Sequence, residues 1–235
     1  MRSRPTIALA ILFATAACGA CSADDNGMSA DAAADAPDQP TELKFETQAT
    51  DLVTQLALFD VTVSEVGASN TTQSAPNGRA VLTIANAAGQ VSHSLAGFLG
   101  NTMAVDPEAL LTHNDANEPL ISHLVSVADL DTLYSGIGVV RDDQATQLIL
   151  YVRASDFTPA TGVNVTVDGG GQSYVRGGGG FEAGSAPLTD ALVLVPNVVG
   201  TQASVTLSAT CPGPSTVALA AGEIASAFYV CDPSL

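Results

Sequence analysis

Short runs of β-branched and apolar residues, each closed by a glycine, proline or asparagine turn, constrain the fold of this 235-residue chain more than any other feature. Leu58-Phe59-Asp60-Val61-Thr62-Val63 reads as a strand, and the polar loop after it ends in the turn signal Pro76-Asn77-Gly78. Ala80-Val81-Leu82-Thr83-Ile84 is a second strand, and Val91-Ser92-His93-Ser94-Leu95 alternates apolar with polar. Pro119 to Val125 supplies a further strand to this first region. In the second half, Leu148-Ile149-Leu150-Tyr151-Val152 reads as a buried strand and Val163-Asn164-Val165-Thr166-Val167 as an alternating one. Ala191 to Val195, Ala203 to Ala209, Thr216 to Ala220 and Ile224 to Val230 follow, the last three as a meander. Short strands at this spacing predict an all-β fold of two small immunoglobulin-like or transthyretin-like sandwiches.

One helix interrupts the strands. Ser126 can cap the backbone, Asp129 can answer it in the manner of a capping box, Leu130 and Leu133 share a face, and Gly136 offers a stop. This predicts a short helix over 127–135. The expected organisation is a first sandwich over 43–127, a short helix and linker over 128–143, and a second sandwich over 144–235. The stretch Gly169 to Gly180 is expected to be a glycine-rich connection between strands.

Thr158-Pro159-Ala160-Thr161-Gly162-Val163-Asn164-Val165-Thr166 resembles the P-x-x-G-V-x-V opening of carboxypeptidase regulatory-like domains, which are transthyretin-like sandwiches. Leu194-Val195-Pro196-Asn197-Val198 is similar to their later F-x-N-V-P-P-G turn, with Val199-Gly200 in place of the usual proline. Val61-Thr62-Val63, Asn77 to Leu82 and Ala96-Gly97-Phe98 form a fainter copy in the first half. The resemblance spans most of residues 50–231 in outline. It implies accessory, adhesive or stabilising modules without catalysis of their own.

The first residues bear on location. Arg2 and Arg4 precede an apolar run, Ile7 to Ala17 with Thr15 inside it, which ends in Ala16-Ala17-Cys18-Gly19. This is the pattern of an export signal, and the run is too short to cross a bilayer as a helix. The ending resembles the lipobox of bacterial lipoproteins, with Thr15 where that family prefers leucine. The resemblance implies a signal peptide over 1–17, acylation of Cys18 and residence as an outer-membrane lipoprotein, on either the periplasmic or the cell-surface side. Cys21 is a second candidate for the lipid. Ordinary cleavage after Ala16 or Ala20, giving a secreted or periplasmic soluble product, is the alternative. Residues 18–42 carry Asp24, Asp25, Asp31, Asp35, Asp38 and Glu42 with no basic residue, the composition of a disordered tether. A flexible segment of that length spans about 25 Å.

Removing residues 1–17 takes away two of the seven basic residues and no acid. Five bases then face 24 acids, a formal charge of −19. Such a chain is repelled by nucleic acid and by anionic head groups, so no nucleic-acid partner is expected, and a lipid is needed to hold it at a membrane. In an oxidising compartment Cys211 and Cys231 are expected to form a disulfide, two free thiols being the alternative.

No motif assigns a reaction. Gly171-Gln172-Ser173-Tyr174-Val175 lacks the final glycine of a hydrolase elbow, and Gly177 to Gly180 lead to no lysine, as a phosphate loop requires. His93, His113 and His123 could meet near Asp115 and Glu118 as a zinc site, but no pair has helical or hairpin ligand spacing. No catalytic residue, metal or cofactor is therefore assigned. The expected function is that of a structural, adhesive or binding module at the cell envelope, meeting a protein or glycan through loops at the sandwich ends. A carbohydrate-binding module is the alternative, with Tyr174 beside the glycine run as its stacking platform. A metal-dependent hydrolase built on the three histidines is a further, weaker one.

Overall fold

A computed structural model describes residues 43–84, 89–110 and 118–232, all within one compact unit, Gln39–Leu235. The expected signal, Cys18, Cys21, the tether and His113 lie outside the described residues.

The fold is all-β apart from a helical turn at 107–110 and helix α1 (Val127–Gly136). The described residues form three sheets. The first joins β4 (Arg79–Ile84), β1 (Leu43–Asp51) and β7 (Leu120–Leu124), with β1 antiparallel to β4 and parallel to β7. The second has nine strands. Its order is β11 (Gly180–Ala183), β10 (Tyr174–Gly177), β12 (Leu192–Val198), β8 (Thr146–Ala154), β15 (Ile224–Cys231), β6 (Asn101–Ala104), β5 (Gln90–Ser94), β2 (Thr62–Glu65) and β3 (Thr71–Gln73). The third is β14 (Thr216–Ala218), β13 (Gln202–Leu207) and β9 (Val165–Val167).

Side-chain alternation assigns the layers. On β8, Ile149 and Tyr151 join one core while Leu148, Leu150 and Val152 join the other. On β15, Ile224, Phe228 and Val230 face the first core, and Ala225, Ala227 and Tyr229 face the second. The first core packs these against Phe45, Leu82 and Leu124 of the β4-β1-β7 sheet, and the second against Val165, Val205 and Val217 of the β14-β13-β9 sheet. The nine-stranded sheet is thus a shared middle layer. The first core draws on both halves of the sequence, Ile149, Leu192 and Phe228 packing beside Phe45 and Leu82, and the two sandwich cores share this sheet.

Strand β15 makes the fusion. All eight of its residues are buried, and it runs parallel to both β6 and β8, Ile224 opposing Asn101 on one side and Gln147 on the other. The expected C-terminal meander stops at β14 for this reason. A strand buried on both faces belongs inside a sheet, where every backbone group finds a partner. Asn101 fastens the junction: its Nδ2 donates to Ser122 Oγ at 3.1 Å and to the His123 carbonyl at 2.9 Å, while its Oδ1 accepts from Ser226 Oγ at 2.8 Å.

Helix α1 forms where the cap residues place it. Ser126 Oγ accepts from the Asp129 backbone N–H at 3.1 Å and donates to the Asp129 carboxylate at 2.6 Å. The segment is more than a linker, because Leu130 and Tyr134 are buried in the first core. The glycine-rich connection also differs from expectation. It contains the hairpin β10–β11, whose strands pair Tyr174 with Ala183 and Gly177 with Gly180. Low strand propensity is overridden there by pairing with β12.

Candidate functional site

A cleft of about 320 Å³ opens between the first sheet and the middle layer. Strand β1 supplies Gln48 and Thr50, β7 supplies His123, β8 supplies Tyr151 and Arg153, and Asp190 enters just before β12. Register brings them together. Thr50 opposes His123 across the parallel β1–β7 pair, and Tyr151 opposes Leu192 across β8–β12. Tyr151 and Arg153 are two apart on β8, so both point toward the first sheet.

The loop after β1 closes one side. Asp51 Oδ1 accepts from the backbone N–H groups of Val53 and Thr54 at 2.9 and 2.7 Å, which turns the chain back. Gln55, at φ 60°, donates its amide to the carbonyls of Leu52 and Asp51 at 2.8 and 3.3 Å. Its Oε1 is left as an acceptor, 3.3 Å from His123 Nε2. Nε2 therefore carries the ring proton, and Nδ1 accepts from the Tyr151 hydroxyl at 2.5 Å. The same hydroxyl oxygen accepts from the His123 backbone N–H at 3.2 Å.

Burial governs the charges. It lowers the pKa of His123 to about 3, with the Arg176 and Arg153 guanidiniums adding to the effect. It raises that of Tyr151 well above the ordinary phenol value. Both groups are neutral over the physiological range, and neither is poised for proton transfer at neutral pH. Asp190 is pushed up by burial, against the pull of Arg176, whose Nε lies 3.2 Å from Asp190 Oδ2. Arg176 also donates from Nη2 to the Leu52 carbonyl and lies over the Phe181 ring, 4.9 Å from its centroid.

Three polar atoms on cleft residues have no hydrogen-bond partner: Thr50 Oγ1, Arg153 Nε and Asp190 Oδ2, the last held in the ion pair with Arg176 without a hydrogen bond. Thr50 is only 8% exposed. Among the described residues Arg153 makes no ion pair. Burial lowers its pKa, while Tyr151, Glu118 and Asp190 act on it through space in the opposite sense. Buried polar groups are ordinarily satisfied, so these unsatisfied groups on one cleft mark it as a candidate binding place, with donors at Thr50 and Arg153 and an acceptor at Asp190.

The sequence-derived candidates fall elsewhere, except His123. His93 lies on β5 and is fully buried, its Nε2 3.2 Å from Thr47 Oγ1. Burial lowers its pKa to about 4, and the Asn101 backbone carbonyl opposes the shift. Among the described residues no group of three His, Cys, Asp or Glu side chains converges as a metal site. Tyr174 lies on β10, partly buried and packed against the first core. Cys211 and Cys231 are joined in a disulfide. Arg153, Asp190, Thr50 and Gln55 carry no motif. The available signal was a charged residue continuing the inward-facing series Ile149, Tyr151, Arg153 on an otherwise apolar strand.

No family model matches the chain, and no curated protein matches it. Among solved structures, the Bacillus anthracis TIE protein aligns over 82% of this chain and 34% of its own, at 6% identity and a TM-score of 0.25. The alignment thus spans about a third of that protein, and at this score it carries no argument about fold or function. Among the described residues, no helix is long and apolar enough to cross a membrane.

Proposed function

We propose that this chain is a non-enzymatic binding module of the bacterial cell envelope, anchored by a lipid on Cys18 and held off the membrane by its acidic tether. The cleft between β1, β7 and β8, with buried polar atoms of Thr50, Arg153 and Asp190 that make no hydrogen bond, carries the binding half of this reading. The cleft offers hydrogen-bonding and ionic groups, and its Tyr151 hydroxyl, though paired with His123, is kept neutral with it by burial. The anchoring half rests on the likeness of residues 15–19 to a lipobox and on the charge of the mature chain.

A carbohydrate-binding module remains the second reading. The Gln48 amide oxygen and the Thr50 hydroxyl on the cleft wall favour it, since such groups suit a hydroxyl-rich ligand. Both halves of the proposal are tested on the protein expressed with its own N-terminus. The membrane fraction should yield an N-terminal peptide with a diacyl or triacyl mass on Cys18. An unmodified terminus after Ala16 or Ala20 would replace the anchored form with a freely exported one. Binding on a panel of envelope glycans and small metabolites should be lost when the cleft is filled by Thr50→Phe, and binding unaffected by that change would move the site elsewhere.

A further inference from the structure

From the convergence of Thr50 and Arg153 on one cleft we infer its ligand class: a small monocarboxylate bearing hydroxyl groups, of about monosaccharide size, bound through the Arg153 guanidinium. The inference rests on the binding-module reading and specifies it.

Charge selects the anion. Of the two guanidiniums near the cleft, Arg176 is already engaged by Asp190 at 3.2 Å and by the Leu52 carbonyl. Arg153 has no such partner among the described residues, and its Nε is buried without an acceptor. Glu118 acts on it only through space and is itself exposed, so water screens that carboxylate. Asp190 is ion-paired with Arg176, although its Oδ2 makes no hydrogen bond. A half-buried cation whose buried Nε lacks an acceptor is costly, and a planar carboxylate matches the donor fork of a guanidinium in both geometry and charge.

Charge also limits the anion to a single negative charge. A dianion such as a phosphate monoester would carry a second charge with no second unengaged cation in the cleft lining to meet it. This separates a carboxylate from a phosphate as occupant.

The remaining lining selects the rest of the ligand. Thr50 Oγ1 is a second unpartnered group, and the Gln48 side chain reaches the Asn77 carbonyl from the same wall, 3.0 Å away, leaving its amide oxygen as an acceptor. Ile121 and the Tyr151 ring supply apolar surface between them. A ligand with a carboxylate at one end and hydroxyls along its length meets all of these. The cleft, about 320 Å³, admits one sugar-sized molecule and no oligomer in full.

The test is calorimetric titration of the full mature chain in detergent with lactate, gluconate and glucuronate, beside glucose and inorganic phosphate. At least one hydroxycarboxylate should bind about tenfold or more tighter than glucose, and phosphate should not compete. Arg153→Gln should abolish that preference, and Thr50→Val should weaken binding of the carboxylate while leaving Arg153 in place. Arg141→Gln, after helix α1 and outside the cleft lining, should bind as the parent does. Thermal melting of Arg153→Gln should show a folded protein, because the substitution removes an unpaired charge and breaks no ion pair. If it does not fold, Arg153→Lys provides the readout, since a point charge keeps attraction but loses the bidentate fork and should weaken binding severalfold.

Glucose binding as tightly as glucuronate, or carboxylate binding unchanged in Arg153→Gln, would overturn the carboxylate inference and leave the binding-module reading standing. Phosphate binding tighter than every carboxylate would overturn it in favour of a different anion. Failure of the whole panel, glucose included, would overturn the inference and count against the cleft as a binding site at all.

Discussion

His123 stacks on Tyr151 with ring centroids 5.5 Å apart and planes inclined by 11°, and the Tyr151 hydroxyl both donates to His123 Nδ1 and accepts from the His123 backbone N–H. One oxygen thus satisfies two buried groups of β7 from β8, across the interface between the first sheet and the middle layer. Tyr151→Phe keeps the ring and removes the oxygen. It should destabilise the fold by about 2–3 kcal/mol, because a ring nitrogen and a backbone N–H are then left buried without partners. Urea unfolding at neutral pH measures this. An unchanged midpoint would mean that water replaces the hydroxyl and that the interface is wetter than its burial indicates.

Acid should unfold this protein earlier than its carboxylates alone require. His93 and His123 are held neutral, with pKa values of about 4 and about 3 against an ordinary 6.5. The folded state therefore binds fewer protons than the unfolded chain below pH 6.5, so stability is full above that pH and falls as pH drops toward the folded values. By pH 5 the loss should be about 2 kcal/mol per histidine. Urea midpoints compared at pH 7 and pH 5 test the slope. His93→Gln, which retains a donor for Thr47, should remove about half of it, and a slope indifferent to both histidines would contradict their burial as neutral groups.

Asn101→Leu should cost more than an ordinary surface change, about 3 kcal/mol or more. The side chain binds Ser122 and the His123 carbonyl on β7 and receives Ser226 from β15, so the substitution strands several buried groups together. Because the lost bonds join both halves of the sequence, unfolding should stay a single transition at a lower midpoint. Two separated transitions would show that the sandwiches unfold independently despite their common sheet.

Much of this architecture was legible in local pattern. The alternation in Arg79–Ile84 and Gln90–Ser94, the cap at Ser126 and the Cys211–Cys231 pair all depend on neighbouring residues or on compartment, and each stands as the sequence predicts. The fusion of two sandwiches was not legible, because Ile224–Cys231 reads equally well as the last strand of a meander or as an inner strand of another sheet. Small residues at Ala225, Ser226 and Ala227 fit both, and only long-range pairing decides. The cleft was hidden for the same reason. Thr50, His123, Arg153 and Asp190 are scattered over 140 residues of chain, and each alone looks like a strand residue or a turn residue. Histidine spacing drew attention to a metal, whereas the fold sets His93 and His123 in separate buried hydrogen-bond networks.

Gly78→Ala should be among the most damaging single-methyl additions. Gly78 closes the Pro76-Asn77-Gly78 turn at φ +78°, and its N–H donates to the Ala75 carbonyl at 2.8 Å. A Cβ there would lie 2.5 Å from the Ala49 carbonyl oxygen, while the Gly78 carbonyl accepts from the Ala49 N–H at 2.9 Å. Backbone strain and the collision act together, for an expected loss of about 2–4 kcal/mol. Thermal unfolding of the variant against Gly67→Ala separates the two contributions. Gly67 has a similar φ of +85° and open space around it, so its substitution should show the strain without the clash.

Reduction of the disulfide should loosen the middle layer from the C-terminal sheet without dissolving the sandwich on the other side. Cys211 follows β13 and Cys231 ends β15, so the bond ties the third layer to the central strand. It closes a loop of 20 residues. In the chain-entropy model a loop of that length contributes about 3 kcal/mol. The Tyr229 hydroxyl, which donates to the Pro214 carbonyl at 2.8 Å, and the Val230 N–H, which donates to the Pro212 carbonyl at 3.1 Å, hold the same loop and remain after reduction. The folded state should therefore survive a reductant at neutral pH with a urea midpoint lowered by that amount. Hydrogen exchange should accelerate first in β13 and β14, with β1, β4 and β7 still protected. Uniform acceleration across all three sheets would instead show that the layers unfold as one cooperative unit, held by β15 alone.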